Sequence, residues 1–349
     1  MTDLTEPALA RGLHHLRPPR LVVRAAFEDR HEPRVANWLE PWDFASPLDV
    51  GILNAGLSAT SIVPTGAFAQ PDAFRLSLPG FTTYTPDFDV DLQTMVARDL
   101  GDIAMPVMDP REGLRRIEET VAAVLTLPEE FFLVLLGGDH AVTAPAARAF
   151  ARHHPGERFG LIHFDAHNDV RVLDHGPTNG TPIRQLLGAG VGFHGENLVQ
   201  IGIHGFMNAS YYKRWVEGHG GTIVTGRQVR RQGIDDTVAA ALEIAGRGAD
   251  AIYVTVDVDV LESAYTPGTG APTAEGLHPL DLYEALFVLG QDPRVAAIDV
   301  VEHDPVRDVA AITGRNVTSA VLTFLAGLFL RTHGDGGWRG YDPTPVTEP

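Results

Sequence analysis

The chain has 349 residues, of which 45 are Asp or Glu and 27 are Lys or Arg, so its formal net charge is −18. This excess of acid argues against a nucleic-acid or anionic-membrane partner, because either surface requires a basic patch on the protein. The chain has no cysteine, which excludes disulfide scaffolds, thiolate metal sites and cysteine nucleophiles. Residues 1–20 lack the apolar core of a signal peptide, and no apolar run approaches the roughly 20 residues of a membrane span, so we expect a soluble cytoplasmic protein.

Prolines punctuate residues 1–48, and we interpret this segment as an N-terminal arm packed on the main domain. From residue 49 onward, short apolar runs alternate with helical stretches, which predicts βα units around a parallel sheet. We expect one domain over residues 49–333. Residues 334–349 are rich in Gly and Pro, which predicts a flexible tail.

Five runs are apolar along most of their length rather than alternating, as in strands that helices cover on both sheet faces. They span residues 131–136, 159–164, 198–203, 251–256 and 295–300. Asp109 and Pro110 predict the start of a helix, with an N-cap followed by a proline at the first helical position. Similar helical patterns cover residues 235–246, 279–289 and 318–331.

Acidic residues and histidines follow three of these strands. The three motifs are Gly137-Gly138-Asp139-His140, Asp165-Ala166-His167-Asn168-Asp169 and Asp257-Val258-Asp259. Ligands of open α/β sheets bind beyond the carboxyl ends of the strands, so we expect the motifs to converge. Side chains alternate along an extended segment, so we expect Asp165, His167 and Asp169 to share one face, and likewise Asp257 and Asp259.

So many carboxylates cannot all remain ionised in a partly buried cleft without cations. Two divalent cations resolve this conflict, and oxygen and imidazole donors suit Mn²⁺ among other ions. Two ions about 3.5–4 Å apart hold and deprotonate a water between them. Each motif alone favours a simpler interpretation as a helix cap or a turn, whereas three together favour a metal centre. The glycine-rich residues 188–192 do not follow a strand and open a helix, so we reject a phosphate loop there.

In this order, the three motifs resemble the metal motifs of the ureohydrolases, the family of arginase, agmatinase and their relatives. Residues 266–270 and 299–302 extend the resemblance, which covers about residues 49–330. It implies a three-layer α/β/α sandwich with a mostly parallel central sheet, two Mn²⁺ ions per subunit, and a homo-oligomer, either a trimer or a hexamer. The site residues that it implies are His140 and Asp169 on one ion, His167 and Asp259 on the other, Asp165 and Asp257 as bridges, and Glu302 as acceptor for the amidinium group of the substrate.

Two positions depart from the arginase and agmatinase pattern. Asn179 stands where those enzymes carry a histidine that shuttles protons, and Asn cannot titrate. His175, four residues earlier, is a candidate substitute. Leu261-Glu262-Ser263 replaces the usual Leu-Asp-Pro, which adjusts a loop and leaves the ligands intact.

The segment around Asn179 looks like the branch of the family that hydrolyses N-formimidoyl-L-glutamate to L-glutamate and formamide in histidine degradation. This small-molecule substrate is an amidine with two carboxylates, so its pocket needs cations. Arg171 follows the second motif closely enough for its guanidinium to grip a carboxylate. Thr181 and Arg184 are further candidates for substrate binding, although Arg184 fits a surface helix equally well. The resemblance implies attack of hydroxide on the formimidoyl carbon, with Glu302 holding the amidine and Asp169 passing a proton to the leaving amine.

Four alternatives remain at this point. An amidinohydrolase that releases urea predicts a histidine at the position of Asn179. A two-metal phosphoesterase requires a later Gly-Asn-His motif, and the chain has none after His167. A deacetylase of the same fold uses one zinc ion and a different ligand spacing. A non-catalytic metal-binding subunit is disfavoured, because all six expected ligands and Glu302 are present.

Overall fold

A computed structural model describes residues 5–27 and 29–333 of the chain, and the predicted tail at 334–349 lies outside these ranges. The strands are β1 Leu16–Arg17, β2 Glu40–Pro41, β3 Val50–Ala55, β4 Tyr84–Thr85, β5 Val90–Asp91, β6 Ala97–Ile103, β7 Phe132–Gly137, β8 Phe159–Phe164, β9 Phe193–Ile203, β10 Thr222–Thr225, β11 Ala251–Asp257 and β12 Val295–Val301. The α-helices are α1 Thr5–Ala10, α2 Val35–Trp38, α3 Gln70–Ser77, α4 Pro110–Leu125, α5 Thr143–His153, α6 Pro182–Gly188, α7 Ser210–Gly218, α8 Gly226–Gln232, α9 Ile234–Ala245, α10 Pro279–Gln291 and α11 Ile312–His333. Short 3₁₀ turns lie at Ala67–Ala69, Leu78–Gly80, Leu92–Thr94, His140–Val142 and Val258–Val260.

Ten strands form one sheet in the order β1-β6-β3-β7-β12-β11-β8-β9-β10, and β2 also pairs with β6. All pairs in it are parallel except that of β1 with β6. Helices α9, α10 and α11 bury their apolar residues in a core on one face of the sheet. Helices α4, α5 and α6 pack in two clusters on the other face. The predicted three-layer α/β/α sandwich is therefore confirmed.

The predicted elements lie where the structure has elements, with shifts at their ends. Strand β8 has the predicted bounds, β7 is displaced by one residue, and β9 begins five residues before the predicted strand. Helix α4 begins at Pro110, and the side chain of Asp109 accepts a hydrogen bond from the backbone N–H of Glu112 at 3.0 Å. Strands β3 and β6 were not predicted, because their sequences show no strong alternation or turn signal.

Within the predicted arm, residues 5–27 and 29–48 are more regular than the sequence indicates. Strand β1 pairs antiparallel with β6, and β2 pairs parallel with β6. Leu13, Leu16 and Trp42 are buried in the same apolar cluster as α4. The arm therefore extends the edge of the main sheet. The sequence did not predict this, because its strands are short and separated by prolines.

Helix α11 is long and apolar enough to cross a membrane, judged by length and composition alone. However, 67% of its most apolar window is buried inside the protein. Val317, Val321 and Phe324 belong to the core that α11 shares with α10 and the sheet. The helix is therefore a core element of this fold.

Candidate metal centre

Four adjacent strands in the middle of the sheet, β7, β12, β11 and β8, end at one edge. Leu136 of β7 is paired with Val300 of β12, and Val301 is paired with Asp257 of β11. Strand β8 ends at Phe164, beside Val256 of β11. The three predicted motifs follow β7, β8 and β11, so the sheet register brings them together. Strand β12 separates β7 from β11 and delivers Glu302 to the same edge.

The side chains converge for a different local reason from the one that we predicted. The chain is not extended through the motifs, because β8 ends before Asp165 and β11 ends at Asp257. Asp259 lies in the 3₁₀ turn Val258–Val260. Asp169 adopts a left-handed backbone conformation, with φ of 51°. Turns after the strands, rather than strand alternation, therefore aim these carboxylates.

The predicted ligands form two groups that share Asp165. The Nδ1 atom of His140 lies 3.2 Å from Asp165, 3.0 Å from Asp169 and 3.3 Å from Asp257. The Nδ1 atom of His167 lies 3.1 Å from Asp165 and 3.2 Å from Asp259. Asp165 therefore lies between the two groups, while Asp257 contacts the histidine of the first group.

Hydrogen bonds determine which ring nitrogen of His140 carries the proton and which has a lone pair. The hydroxyl of Thr255 donates to a carboxylate oxygen of Asp299 at 2.6 Å, so its oxygen is left to accept from His140 Nε2 at 3.0 Å. Nε2 therefore carries the proton, and Nδ1 presents a lone pair. This buried Nδ1 makes no hydrogen bond of ordinary geometry. Burial opposes protonation of the ring, but the carboxylates of Asp165, Asp169 and Asp257 outweigh it and raise the pKa of His140 well above its usual value. The position of Nδ1 among them therefore calls for a positive charge, either a second ring proton or a metal cation.

The ionisation of the buried carboxylates shows the same crowding. Burial raises the pKa of Asp257 well above its usual value, and the neighbouring charges of Asp259 and Asp165 raise it further. Burial and the charge of Asp139 raise the pKa of Glu302 to about 8. Bound cations remove this conflict, because they favour the ionised carboxylates. The donor set of carboxylate oxygens and imidazole nitrogens, with one buried orphan lone pair, therefore fits a pair of divalent ions such as Mn²⁺.

A cavity of about 120 Å³ opens onto this cluster. Of the predicted ligands, His167, Asp169, Asp257 and Asp259 line it, together with Glu302. His140 and Asp165 lie beneath its floor and are fully buried. The cavity therefore gives a small molecule access to the ligand cluster from one side.

Asn179 lies in the cavity wall and holds Glu302. Its amide nitrogen donates to Glu302 Oε1 at 3.0 Å, and the backbone N–H of His140 donates to the same oxygen at 2.8 Å. Its amide oxygen accepts from the backbone N–H of Ile62 at 3.0 Å. The side chain of Asn179 therefore anchors Glu302 to the loop around Ile62.

That loop is held in turn by Asp139 of the first motif. The carboxylate of Asp139 accepts hydrogen bonds from the backbone N–H and the hydroxyl of Thr60, and from the hydroxyl of Ser61. The carbonyl of Thr60 accepts from the backbone N–H of Asn179 at 3.1 Å. Asp139 thus positions the loop that carries Ile62, and it does so without facing the cavity.

The other predicted substrate residues divide into one that lines the cavity and two that do not. Arg171 lines it, and its guanidinium has no hydrogen bond or ion pair within the described residues. Thr181 is buried, and its hydroxyl donates to the carbonyl of Thr178 at 2.7 Å, which closes the turn that contains Asn179. Arg184 instead donates to the carbonyl of Val170 at 2.7 Å.

The guanidinium of Arg184 lies 4.2 Å from the ring centroid of Trp215, which is a cation–π contact. Arg184 therefore packs α6 against α7 and does not line the cavity. His175, the candidate substitute for the proton shuttle, is exposed and is also absent from the cavity wall.

Several cavity residues were not assigned a role from the sequence. They are Ile62, Val63, Thr65, Asn168, Met207, Asn208, Tyr212, Gly270 and Ala271. Tyr212 lies on α7, and the others come from loops whose side chains show no periodic pattern, so only their place in or near recognised motifs offered a signal. Buried polar residues inside the apolar strands, such as His163 and Thr255, were a second signal, because such residues need partners.

Comparison with known proteins identifies the family. The family model described as "Arginase family" matches residues 48–327. The chain belongs to the arginase family. The resemblance seen in the three motifs is therefore confirmed over most of the chain.

Within the arginase family, the chain is 38% identical to a formimidoylglutamase of Halalkalibacterium halodurans, over 89% of this chain and 97% of that protein. A crystal structure of formimidoylglutamase from Bacillus subtilis superposes with a TM-score of 0.83 at 32% identity, covering 89% of this chain and 97% of that one. A structure of Trypanosoma cruzi formiminoglutamase with two Mn²⁺ ions superposes with a TM-score of 0.77 at 26% identity. The superposition covers 86% of this chain and 99% of that one.

Proposed function

We propose that the chain is a formimidoylglutamase, which hydrolyses N-formimidoyl-L-glutamate to L-glutamate and formamide with two Mn²⁺ ions. The similarity to formimidoylglutamases over nearly the full length of both chains supports this function. The observation that carries it is a cavity that joins the ligand cluster, with Glu302 beside it, to an unpaired guanidinium at Arg171. A substrate that combines an amidine with carboxylates needs an acceptor such as Glu302 at one end and a cation such as Arg171 at the other.

We divide the proposed ligands as the family resemblance implies. His140 and Asp169 would hold one ion, His167 and Asp259 would hold the other, and Asp165 and Asp257 would be shared by both. The sharing of Asp165 between the groups supports its bridging role. When bound, such a pair of ions lowers the pKa of water held between them and supplies hydroxide near neutral pH.

The protein side chains bind the amidine and handle its protons. We assign Glu302 as the acceptor for the N–H groups of the amidinium, because Asn179 and the backbone of His140 hold its Oε1 toward the cavity edge. The oxygen of water joins the formimidoyl carbon, and the bond from this carbon to the glutamate nitrogen breaks. Asp169, which lines the cavity, passes the proton from the attacking water to that nitrogen.

The carboxylates of the substrate lie at the other end of the cavity. We assign one of them to Arg171, whose guanidinium offers paired N–H donors of the geometry that a carboxylate accepts. The hydroxyl of Tyr212 also lines the cavity without a hydrogen-bond partner in the described structure, and we assign it to the second carboxylate. Asn179 contacts the substrate only beside Glu302, while Thr181 supports its turn.

The substrate assignment is tested by one assay of the Mn²⁺-loaded protein. Formamide release from N-formimidoyl-L-glutamate is measured beside urea release from arginine, agmatine and 4-guanidinobutyrate. We expect formamide release to exceed urea release from each guanidine in kcat/KM. Faster release of urea from any of them would refute the substrate assignment and leave the metal centre untouched.

The role of Arg171 gives a sharper prediction. Replacing it in Arg171→Met removes a charge-assisted contact of about 1.5–3 kcal/mol, so we expect KM for formimidoylglutamate to rise about 10- to 100-fold. Mn²⁺ binding should not change. Arg214→Met, at an exposed position on α7, is the matched control and should leave KM as in the wild type. An unchanged KM in Arg171→Met would place the carboxylate elsewhere.

We further propose that the enzyme is a cytoplasmic homo-oligomer, either a trimer or a hexamer, as the family resemblance implies. Light scattering coupled to size-exclusion chromatography measures the mass directly. A mass close to 37.7 kDa, that of one chain, would contradict the oligomer.

A further inference from the structure

Four polar side chains cross the sheet in one row beneath the proposed ligands. The register pairs Gln200 of β9 with His163 of β8, His163 with Thr255 of β11, and Thr255 with Asp299 of β12. All four are fully buried. Polar groups in such a core are costly unless they are hydrogen-bonded, so the row needs a reason beyond packing.

His163 lies close enough to the cluster for two different roles. Its Nε2 atom is 2.7 Å from Oδ2 of Asp165, and it also lies within ligand distance of the group formed by His140, Asp165 and Asp169. It is therefore either a further metal ligand or a hydrogen-bond donor to Asp165. The position of the ring proton decides between these roles, because a nitrogen that carries hydrogen cannot bind a metal.

A backbone carbonyl fixes the orientation of the Gln200 amide next to this ring. The carbonyl of Asn168 can only accept a hydrogen bond, and the atom that faces it at 2.7 Å is therefore Nε2 of Gln200. The side-chain amide nitrogen of Asn168 donates to Oε1 of Gln200 at 2.8 Å, which requires the same orientation. Both contacts would be lost if the amide were flipped.

The oriented amide then sets the tautomer of His163. The second N–H of Gln200 Nε2 points to His163 Nδ1 at 2.9 Å, so Nδ1 accepts and carries no hydrogen. The ring proton is consequently on Nε2, the nitrogen that faces Asp165. His163 is a donor to this carboxylate and has no lone pair to offer a metal ion.

We propose that His163 is a positioning residue of the metal centre, which orients the shared carboxylate of Asp165 by donating from Nε2, with Gln200 fixing its tautomer. The role of His163 rests on the two-metal site of the proposed function. Asp165 belongs to both donor groups, so a rotation of its carboxylate disturbs both ions at once. Outer partners of metal ligands commonly affect metal affinity about 10- to 100-fold.

Two substitutions of His163 separate the hydrogen bond from the volume of the ring. His163→Phe keeps an aromatic ring and removes both nitrogens, and we expect Mn²⁺ affinity to fall about 10- to 100-fold. His163→Gln retains an N–H donor and should restore affinity to within a few-fold of the wild type. Mn²⁺ affinity and stoichiometry are measured by calorimetric titration, and the spin-coupled signal of the ion pair by electron paramagnetic resonance. Neither measurement uses a substrate.

A matched control tests whether a damaged core alone weakens the metal site. Leu161→Ala, on the same strand two residues before His163, removes buried apolar contacts. We expect it to lower thermal stability and to retain wild-type Mn²⁺ affinity. Comparable loss of affinity in Leu161→Ala and His163→Phe would overturn the specific role of His163.

The remaining outcomes each decide one question. Wild-type affinity in His163→Phe, or an equal loss in His163→Gln, overturns the donor role. If His163→Phe does not fold, Gln200→Leu serves instead, because it removes the group that fixes the tautomer of His163. An unchanged Mn²⁺ affinity in Gln200→Leu would then overturn the proposal. Fewer than two ions in the wild-type protein would refute the metal centre itself, which distinguishes that failure from the failure of His163.

Discussion

Asp169 and Glu302 both have left-handed backbone conformations, with φ of 51° and 70°. A side chain other than glycine is strained there by about 1–2 kcal/mol, and such strain persists only where the surrounding structure imposes it. Hydrogen bonds impose it here, since the backbone N–H of Glu302 donates to the carbonyl of Gly138 and that of Ile183 donates to the carbonyl of Asp169. The strained turns redirect both carboxylates from the strand ends into the cavity.

The bridging role of Asp257 predicts a severe effect from a small substitution. Asp257→Asn keeps the shape but removes the charge and one ligand oxygen, so we expect fewer than two Mn²⁺ ions per chain and a loss of activity of at least about 100-fold. Metal analysis after dialysis and formamide release measure the two effects. Asp236→Asn, on the exposed face of α9, should change neither. Retention of two ions in Asp257→Asn would contradict the bridge.

At the scale of elements, the first motif depends on a close approach between two strand ends. A Cβ atom on Gly138 would lie 1.8 Å from the carbonyl oxygen of Leu57, which also accepts a hydrogen bond from the N–H of Asp139 at 2.6 Å. The loop after β3 therefore packs directly on the backbone that carries His140. Only glycine permits this contact.

Gly138→Ala should therefore damage both the fold and the metal centre. We expect the free energy of unfolding to fall by about 1–3 kcal/mol through overpacking, and Mn²⁺ affinity to fall as His140 is displaced. Denaturant unfolding and metal titration measure these effects. Gly188→Ala, at the end of α6 with no heavy atom within 4 Å of the added Cβ, should leave both unchanged. Wild-type values for Gly138→Ala would show that the two loops can separate freely.

Asp308 makes a second contribution at the scale of elements, at the start of α11. Burial opposes its ionisation, but hydrogen bonds from His303, Thr313 and Gly314 outweigh burial and lower its pKa to about 2. Because the pKa is lowered by folding, the resulting stability is present above about pH 4 and is lost as the pH falls through about 2.

Asp308→Asn should remove this contribution. We expect a loss of about 1 kcal/mol in the free energy of unfolding at pH 7, as for a lost helix cap. The difference in free energy of unfolding between Asp308→Asn and the wild type should shrink as the pH falls from 4 to 2. Denaturant unfolding of the metal-free proteins across this range measures it, and a difference that does not depend on pH would contradict the ionic origin.

At the scale of the whole molecule, the metal centre couples the stability of the protein to pH. Burial and the charge of Asp139 raise the pKa of Glu302 to about 8, and burial with neighbouring carboxylates raises that of Asp257. For a carboxyl group with a raised pKa, the folded state binds the proton more tightly than the unfolded state. In the metal-free protein, the contribution of these two groups to stability is therefore fully present below about pH 4.5 and, for Glu302, is lost as the pH rises through about 8.

Metal removal should expose this dependence. We expect the metal-free protein to melt at a lower temperature than the Mn²⁺-loaded protein, since saturation at 100 times the Kd stabilises by about 2.7 kcal/mol per site. The difference in melting temperature between the two forms should widen as the pH rises from about 5 to about 8. Thermal unfolding with Mn²⁺ or with a chelator measures it. A constant difference would show that the carboxylates do not resist ionisation in the metal-free state.

The sequence by itself determined the chemical character of this protein. Apolar runs that end in Asp and His motifs predicted a parallel sheet with ligands at one edge, because helices cover both faces of such a sheet and its strands end together. The motifs also identified the family and predicted six ligands. These features are local, since each depends on residues within a few positions of one another.

The tertiary structure alone decided which side chains face the cavity and in what state. The placement of β12 between β7 and β11 brings Glu302 beside the ligands, and strand order is not encoded in any short segment. Arg171 lines the cavity while Arg184 packs on Trp215, although both were candidates for binding the substrate. The tautomer of His163 depends on Gln200, 37 residues away. Contacts between distant segments set side-chain direction and proton position, so no pattern along the chain reveals them.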